Sequence, residues 1–206
     1  MCDWVVFGQF VFLAGSVHPS PKTKERDPMS ANPYDRLPAT SSFQVTSGDL
    51  EDGGPLGIAQ YSAMTGIPGA TDTSPQLSWS GFPEGTKSFA ITMYDADAPT
   101  PSGFWHWAVA NIPAEVTELA AGAGGGGGLP DGALLVPNDV RAPIYVGAMP
   151  PQGSGKHRYF IAVHALDVAN ITEAGFDAQG TPAGLNFTML GHTLGRAIIT
   201  PWGGEA

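Results

Sequence analysis

Short runs of β-type residues, separated by turns rich in glycine and proline, recur from residue 43 onward and constrain the fold more than any other feature. These runs cover residues 43–46, 76–79, 88–94, 105–111 and 159–166. The chain contains 28 Gly and 19 Pro but only 14% charged residues, which favours turns and short strands over long amphipathic helices. The spacing predicts a mainly β protein, an antiparallel β-sandwich rather than a succession of βαβ units.

The first 28 residues differ in composition from the rest of the chain. An apolar run over residues 4–14 precedes a polar stretch over residues 18–28 that has no hydrophobic periodicity. The run is shorter than the roughly 20 residues that a membrane-spanning helix requires. We therefore expect one domain over residues 29–206, preceded by a disordered tail or an incorrectly assigned start over residues 1–28.

The cysteine content and the N-terminus give an expectation for the location of the protein. Cys2 is the single cysteine, so no disulfide can form within the chain, which fits a reducing cytoplasm. Asp3 stands where a secretory signal carries positive charge. The sequence predicts a cytoplasmic protein, and export is the alternative if residues 1–16 act as a weak signal.

The formal net charge of -10 restricts the classes of partner. Sequence-independent binding to nucleic acid needs lysine and arginine to neutralise phosphates, so we expect no nucleic-acid partner. Anionic membrane surfaces should repel the chain for the same reason. A single small anion can still bind where local hydrogen-bond donors outweigh the overall charge.

Two segments of the second half of the chain have recognisable compositions. Residues 122–128 are almost all glycine and lack the Gly-Lys-Ser/Thr ending of a phosphate-binding loop, which predicts a flexible surface loop. Between Thr181 and Arg196, the apolar residues Leu185, Met189 and Leu190 predict an amphipathic helix. Pro182 is acceptable in its first turn. A short strand over residues 197–200 is expected to follow.

The run over residues 104–111 is apolar on both of its alternating faces. Simple alternation places Trp105, Trp107 and Val109 on one face, and Phe104, His106, Ala108 and Ala110 on the other. A strand of this kind is expected to lie inside a sheet and to be covered on both sides.

Two carboxylates precede this run. Asp95 and Asp97 point to the same side if the segment is extended, and Pro99 stiffens the turn that follows. Like charges this close need compensation, and the planar guanidinium of Arg158 can grip one carboxylate with two hydrogen bonds. We assign that structural role to Asp97 and expect Asp95 to lie nearer a ligand. A solvated turn at a strand end is the alternative explanation.

Two histidines are candidates for a pocket. His106 lies between two tryptophans on the strand expected to be buried, where an imidazole must find hydrogen-bond partners. His157 opens a strand after a loop rich in proline and glycine, a position where ligand-binding groups gather. A buried histidine is also often structural, and both interpretations stay open for each residue. His164, His18 and His192 have no supporting context.

The residues favour neither a metal site nor a nucleophilic enzyme. The chain has no His-x-x-x-His or His-Glu-x-x-His pattern, so we expect no metal and no cofactor. It also lacks the Gly-x-Ser-x-Gly elbow of serine hydrolases, and we attribute Ser154 to the loop in which it lies. A histidine and a carboxylate alone define no reaction, so we expect a protein that is not an enzyme.

Two long motifs resemble those of the phosphatidylethanolamine-binding protein family, which includes the Raf kinase inhibitor proteins. One is Asp-x-Asp-Ala-Pro over residues 95–99, followed by Trp-His-Trp over residues 105–107. The other is Tyr-x-Gly-x-x-Pro-Pro-x-Gly-x-x-x-His-Arg-Tyr over residues 145–159. The resemblance extends over residues 43–199 and is greatest with the bacterial branch, because no C-terminal helix follows Trp202 as it does in eukaryotic members.

The resemblance implies a β-sandwich with Greek-key features, one or two short helices and a small anion site at one end of the sheets. Family members fill this site with phosphate-like groups or with phosphoethanolamine. The residues that would bind the ligand, carried over by position, are Asp95, Ala98, Pro99, His106, Tyr145, Gly147, Pro150, Pro151, His157 and Tyr159. Asp97 and Arg158 would support the site. Gly147 would let the anion approach the backbone, and His106 and His157 would donate hydrogen bonds to it.

Met149 departs from the family pattern, because many relatives have glycine at this position, and its thioether would narrow the mouth of the site or add an apolar contact. The sequence therefore favours a non-enzymatic protein that binds a small phosphate-like or phosphoethanolamine ligand and docks phosphorylated ligands or partners. A module that inhibits a kinase or a serine protease is the alternative, and a hydrolase or lyase is a weaker one. The oligomeric state stays open.

Overall fold

Residues 32–205, the part of the chain that the computed structural model describes, contain ten strands, one α-helix and four single-turn 3-10 helices. The strands are β1 (Ser41–Ser42), β2 (Gln44–Thr46), β3 (Leu77–Ser80), β4 (Ser88–Asp95), β5 (Phe104–Pro113), β6 (Glu118–Leu119), β7 (Leu134–Leu135), β8 (Lys156–Leu166), β9 (Thr193–Ile199) and β10 (Trp202–Gly204). The helix α1 is Pro182–Met189, and the 3-10 turns are Pro33–Arg36, Ile58–Gln60, Ala63–Thr65 and Ala123–Gly125. The prediction of a mainly β protein is confirmed. The tail or misassigned start expected over residues 1–28 lies outside the described residues.

The strands form one large and one small sheet. The large sheet has the order β1-β9-β8-β4-β5-β7, with β10 paired to one end of β8, and the small sheet has the order β2-β3-β6. Every pair is antiparallel except β1 and β9, which run parallel. The predicted antiparallel arrangement is therefore wrong at this edge. No hairpin joins β1 to β9, because most of the chain lies between them, so no tight turn imposes the antiparallel direction.

Apolar side chains cover both faces of the long central strands. One core cluster joins Trp79 of the small sheet to Ile91 of β4 and Trp107 of β5. A second cluster, on the other face, packs Ala108 of β5 against Leu185 of α1. The expectation that the run over residues 104–111 is an interior strand covered on both sides is confirmed, because β5 lies between β4 and β7.

A β-bulge interrupts the alternation of β5 at His106. Met93 of β4 pairs with Trp107 and Tyr94 pairs with Trp105, so His106 is an extra residue in the ladder. Trp105 consequently stacks on Tyr94, with ring centres 4.5 Å apart, on the face opposite Trp107. The predicted alternation, with Trp105 and Trp107 on one face and His106 on the other, is wrong here. The bulge turns His106 to the face of β8 residue Tyr159, whose ring centre lies 5.3 Å away.

The helix near the C-terminus is shorter than the sequence predicts. It begins at Pro182, where the Thr181 hydroxyl accepts a hydrogen bond from the Gly184 N–H, and it ends at Met189. Strand β9 already begins at Thr193, so the prediction of helix up to residue 196 and of a strand only from residue 197 is wrong. Gly191 ends the helical run, and the β-branched residues of β9 favour a strand paired with β8.

The glycine run is only in part a surface loop. Residues 125–128 are exposed, whereas Ala123 and Gly124 are buried. The Gly124 N–H donates to the Ser74 hydroxyl, and its carbonyl accepts from the Tyr145 N–H. A side chain at Gly124 would come within 2.7 Å of the Tyr145 Cβ, so glycine permits this close packing. The prediction of a flexible surface loop is wrong for these two residues.

Candidate ligand-binding site

A cavity of about 290 Å³ opens where β4 ends and where β5 and β8 begin. Its lining combines a carboxylate and two imidazoles with apolar side chains. The residues that line it are Ser62, Met64, Asp95, Ala98, Pro99, Thr100, Phe104, His106, Val140, Val146, Gly147, Met149, Pro151 and His157. The volume suits a group the size of a phosphate ester or a small organic molecule.

His157 is held by hydrogen bonds at both ring nitrogens. Nδ1 lies 2.8 Å from Asp95 Oδ2, and the two side chains are almost completely buried. Nε2 lies 2.9 Å from the Ser154 hydroxyl oxygen. The same hydroxyl oxygen lies 2.6 Å from the Pro151 carbonyl oxygen, which can accept its hydrogen. The imidazole is thereby fixed in orientation at the wall of the cavity.

His106 is fixed by a different set of contacts. Its Nδ1 lies 2.9 Å from the Val146 carbonyl oxygen, and since a carbonyl only accepts, Nδ1 carries the hydrogen. The ring packs between Phe104 and Tyr159, with ring centres 4.8 Å and 5.3 Å away. Burial lowers the pKa of His106 below its ordinary value, although the Val146 carbonyl and Asp95 act in the opposite direction. The imidazole is therefore neutral at neutral pH.

Asp97 and Arg158 form a two-point ion pair beside the cavity. Arg158 Nε and one terminal guanidinium nitrogen each donate to a different carboxylate oxygen of Asp97 at 2.7 Å. The backbone N–H of Arg158 also donates to the Asp97 carboxylate, at 2.9 Å. Burial alone would raise the pKa of Asp97, but these hydrogen bonds and the guanidinium charge hold it below its ordinary value. The pair that the sequence predicts is present, and it ties the turn after β4 to β8.

Gly147 lines the cavity, and the side where a Cβ would stand packs against backbone. A side chain there would come within 2.4 Å of the Ser62 nitrogen and the Tyr61 carbonyl carbon. The Gly147 N–H donates to Asp72 Oδ1 at 2.8 Å, and the other oxygen of Asp72 accepts from the Ala63 N–H at 2.8 Å. The Gly147 N–H is therefore already used. An anion at this part of the backbone would need a hydrogen-bond donor other than the Gly147 N–H.

The structure brings together seven of the ten residues expected to bind a ligand. The seven that line the cavity are Asp95, Ala98, Pro99, His106, Gly147, Pro151 and His157. Tyr145 is 2% exposed and donates its hydroxyl hydrogen to the Gln60 carbonyl, away from the cavity. Tyr159 is fully buried beneath His106, and burial and the charge of Asp95 raise its pKa. Pro150 lies on a neighbouring groove.

This neighbouring groove is larger and more open than the cavity. It encloses about 840 Å³ and shares Met149 and Pro151 with the cavity. Its apolar wall includes Ile58 and Ile67, which are 48% and 43% exposed, and Met149 is 52% exposed. Met149 thus lies on the border between the two spaces.

Sequence reasoning missed two residues that shape the site. The sequence predicts only a loop role for Ser154, yet its hydroxyl forms a hydrogen bond with His157. The spacing Ser-x-x-His, in a turn that contains Gly153 and Gly155 at positive φ, is the signal that could have suggested this contact. Asp72 has no motif around it, and nothing in the sequence indicates that it joins the segments of Ala63 and Gly147.

No group of three or more His, Cys, Asp or Glu side chains within residues 32–205 is arranged to hold a metal ion. Within the same residues, no helix has the length and apolar character needed to cross a bilayer.

The fold and the site together define a mainly β protein with a small, partly polar cavity at the ends of its strands. The family model for phosphatidylethanolamine-binding protein matches residues 46–201. The chain belongs to the phosphatidylethanolamine-binding protein family.

Relatives in Escherichia coli strain K12 cover most of the chain. The UPF0098 protein YbcL is 43% identical over 163 residues, which are 78% of this chain and 87% of YbcL. The UPF0098 protein YbhB is 42% identical over 159 residues, 77% of this chain and 98% of YbhB. The crystal structure of E. coli YbcL, described as a member of the mammalian PEBP family, superposes with a TM-score of 0.73 at 41% identity, and the match covers 81% of this chain and 100% of that one.

A mycobacterial relative has a name that bears on location. LppC of Mycobacterium tuberculosis, whose name contains the word lipoprotein, is 31% identical over 134 residues, 64% of this chain and 59% of that protein.

Proposed function

We propose that this protein is a non-enzymatic binding protein whose cavity accepts a small anionic group, either phosphate or a phosphoethanolamine head group. The observation that carries the proposal is the convergence of Asp95, His106 and His157 on one cavity of about 290 Å³. Membership of the phosphatidylethanolamine-binding protein family supports a role in binding. The ligand-binding residues proposed are those that line the cavity, and Asp97 and Arg158 hold the adjoining strands together.

The arrangement of the two sheets supports this proposal. We infer that they pack as a β-sandwich with Greek-key connections, because one core cluster contains residues of both sheets, including Trp79 and Trp107. In such a fold the strand ends are held rigidly, so Asp95 and His157 keep their relative position when a ligand enters.

Calorimetric titration with inorganic phosphate and with O-phosphorylethanolamine tests the proposal. We expect saturable binding to the wild type and a loss of at least about ten-fold in affinity in His157→Ala, because an imidazole that lines the cavity is removed. His192→Ala is the matched control, since His192 pairs with Asp167 outside the cavity. Circular dichroism verifies that both variants are folded. Absence of binding to the folded wild type at millimolar ligand contradicts the proposal.

The groove beside the cavity favours a second function, that of a module that binds a protein and inhibits it. Ile58, Ile67 and Met149 expose apolar surface there, next to the mouth of the cavity. A kinase and a serine protease are the candidate partners. Binding of a purified enzyme that is lost in Ile67→Glu but kept in His157→Ala supports this function over ligand binding.

We also propose a cytoplasmic location, with export as the alternative that the name of the mycobacterial relative supports. Expression of the full chain with a C-terminal tag, followed by cell fractionation and mass spectrometry of its N-terminus, distinguishes the two. An intact N-terminus in the cytoplasmic fraction supports a cytoplasmic location. A processed N-terminus outside that fraction supports export.

A further inference from the structure

The methionines of residues 32–205 fall into two classes. Met93 on β4 and Met189 on α1 are buried, with 0% and 1% of their surface exposed. Met64 and Met149 are 82% and 52% exposed, and both line the cavity. The two exposed thioethers in this part of the chain therefore border the same space.

Backbone hydrogen bonds hold these two methionines on neighbouring segments. The Ser62 N–H donates to the Ala148 carbonyl at 2.9 Å, and the Ala148 N–H donates to the Gln60 carbonyl at 3.0 Å. The Met64 N–H donates to the Ser62 hydroxyl at 3.3 Å, and Met149 directly follows Ala148 in the chain. One set of hydrogen bonds thus fixes both segments beside the cavity.

Much of the cavity wall around the two methionines is hydrocarbon. Phe104, Val140 and Val146 are among the residues that line it. Hydrocarbon side chains do not react with mild oxidants such as peroxide, whereas a thioether sulfur does. Met64 and Met149 are therefore the apolar groups of this wall whose polarity an oxidant can change.

The reaction with hydrogen peroxide is a transfer of one oxygen atom. The sulfur lone pair attacks one peroxide oxygen, so that an S–O bond forms as the O–O bond breaks. The departing oxygen takes up the hydrogen of the transferred oxygen and leaves as water. The sulfur is oxidised by two electrons and the peroxide is reduced. The product, methionine sulfoxide, is polar and can be reduced back to the thioether.

Oxidation changes what the wall offers to a ligand. Each sulfoxide replaces apolar surface by a dipole whose oxygen carries partial negative charge and only accepts hydrogen bonds. An anion near this oxygen is repelled, and an apolar substituent of the ligand loses a favourable contact. The sulfoxide oxygen can also accept the hydrogen of the Ser62 hydroxyl, two residues before Met64 in the cavity lining. All three effects lower the affinity for an anionic ligand.

We propose that Met64 and Met149 form a peroxide-oxidation site, and that their conversion to sulfoxides weakens the binding of anionic ligands in the cavity. The effect on binding rests on the proposed anion-binding function. The selective oxidation of these two residues does not depend on that function.

Mass spectrometry of the peroxide-treated, folded wild type tests the oxidation site itself. We expect Met64 and Met149 to be oxidised at least about ten-fold faster than Met93 and Met189, because burial keeps the oxidant away. In urea the four residues should react at similar rates, which controls for the effect of local sequence. Equal rates in the folded protein would overturn the inference.

Calorimetric titration before and after peroxide treatment tests the effect on binding. Inorganic phosphate and phenyl phosphate are the probes, because the second adds an apolar substituent. We expect the affinity for both to fall by at least about three-fold, and that for phenyl phosphate to fall more. Treatment with methionine sulfoxide reductases should restore the affinity, which excludes irreversible damage to other side chains.

Replacement of both methionines by leucine separates their oxidation from that of other groups. The double variant Met64→Leu and Met149→Leu keeps two apolar side chains of similar volume but cannot form sulfoxides. Its ratio of affinities before and after peroxide should be one, and Met189→Leu, the matched control, should keep the loss. The ratio is independent of any change that the substitutions cause in the untreated protein. A double variant that loses affinity as the wild type does would overturn the inference.

The outcomes separate this inference from the function on which part of it rests. Selective oxidation with a loss of affinity that the leucines abolish supports both. Selective oxidation with unchanged affinity overturns the effect on binding and leaves anion binding intact. Absence of binding by the untreated, folded wild type contradicts the proposed function and the effect of oxidation on it. Mass spectrometry still decides in that case whether these two residues are the oxidation site.

Discussion

Asp95 Oδ2 lies 2.8 Å from His157 Nδ1, although the two residues are 62 positions apart in the chain. The contact joins the last residue of β4 to the second residue of β8, and both side chains are almost fully buried. It links the two sequence motifs at the wall of the cavity. The bond therefore serves both the stability of the sheet and the geometry of the site.

Replacement of Asp95 by asparagine should weaken both the stability of the sheet and the geometry of the site. The asparagine amide oxygen can accept a hydrogen bond from His157 but is a weaker acceptor than a carboxylate, so we expect a loss of about 1–3 kcal/mol in the free energy of unfolding. Urea denaturation of Asp95→Asn at pH 7 measures this. Asp167→Asn is the control, because its pair with His192 is partly exposed and should change stability by less than about 1 kcal/mol. Equal effects in the two variants would argue against a special role for the buried pair.

The pair between Asp97 and Arg158 should make stability depend on pH. The folded pKa of Asp97 lies below its ordinary value of 3.8, so its contribution is present above about pH 4 and is lost as the pH falls through the folded pKa. At pH 7, Arg158→Met should cost about 2 kcal/mol, and the difference from the wild type should shrink in acid. Urea denaturation between pH 2.5 and pH 7 measures the difference, and a constant difference would contradict the assignment.

His164 should destabilise the protein in mild acid. It lies fully buried between Thr92 and Arg196, and burial, together with the Arg196 charge, lowers its pKa from 6.5 to about 3. The unfolded chain binds a proton below about pH 6.5 while the folded protein does not, so stability should fall as the pH falls from 6.5 towards 3. The limiting slope is about 1.4 kcal/mol per pH unit for one proton.

Comparison of the wild type with His164→Gln checks this assignment. The variant lacks the titrating group, so its free energy of unfolding should vary less between pH 6.5 and pH 4. A wild type and a variant with the same pH dependence would show that other groups control the acid stability.

Gly147 should not tolerate a side chain. A Cβ at this position would come within 2.4 Å of the backbone of Tyr61 and Ser62, which cannot move as a flexible side chain would. We expect Gly147→Ala to lose about 1–3 kcal/mol or to displace the loop and weaken ligand binding. Gly127→Ala is the control, because nothing lies within 4 Å of the added Cβ. Thermal unfolding and phosphate titration of both variants measure the effects.

The sequence predicts the type and approximate position of the long strands because their composition is locally consistent. The runs that became β4, β5 and β8 are rich in β-branched and aromatic residues and are bounded by turn residues. Local composition does not determine how strands pair over long distances. The parallel pair of β1 and β9 and the early end of α1 at Met189 depend on contacts between distant parts of the chain.

The site was predictable in its parts but not in its geometry. Motifs indicate Asp95, His106 and His157, whereas simple alternation places His106 on the wrong face. The bulge at His106 corrects this, and it arises from the pairing of β5 with β4 rather than from a local signal. The contact of Ser154 with His157 likewise depends on how the turn between them folds.

NMR of the imidazole side chains during titration with O-phosphorylethanolamine tests the central claim most directly. If the cavity binds this anion, the signals of His106 and His157 shift together and saturate at one ligand per chain, while the signals of His164 and His192 stay unchanged. Unchanged signals of His106 and His157 at millimolar ligand, or equal shifts of these two and of His164 and His192, would contradict the claim that His106 and His157 form the binding site.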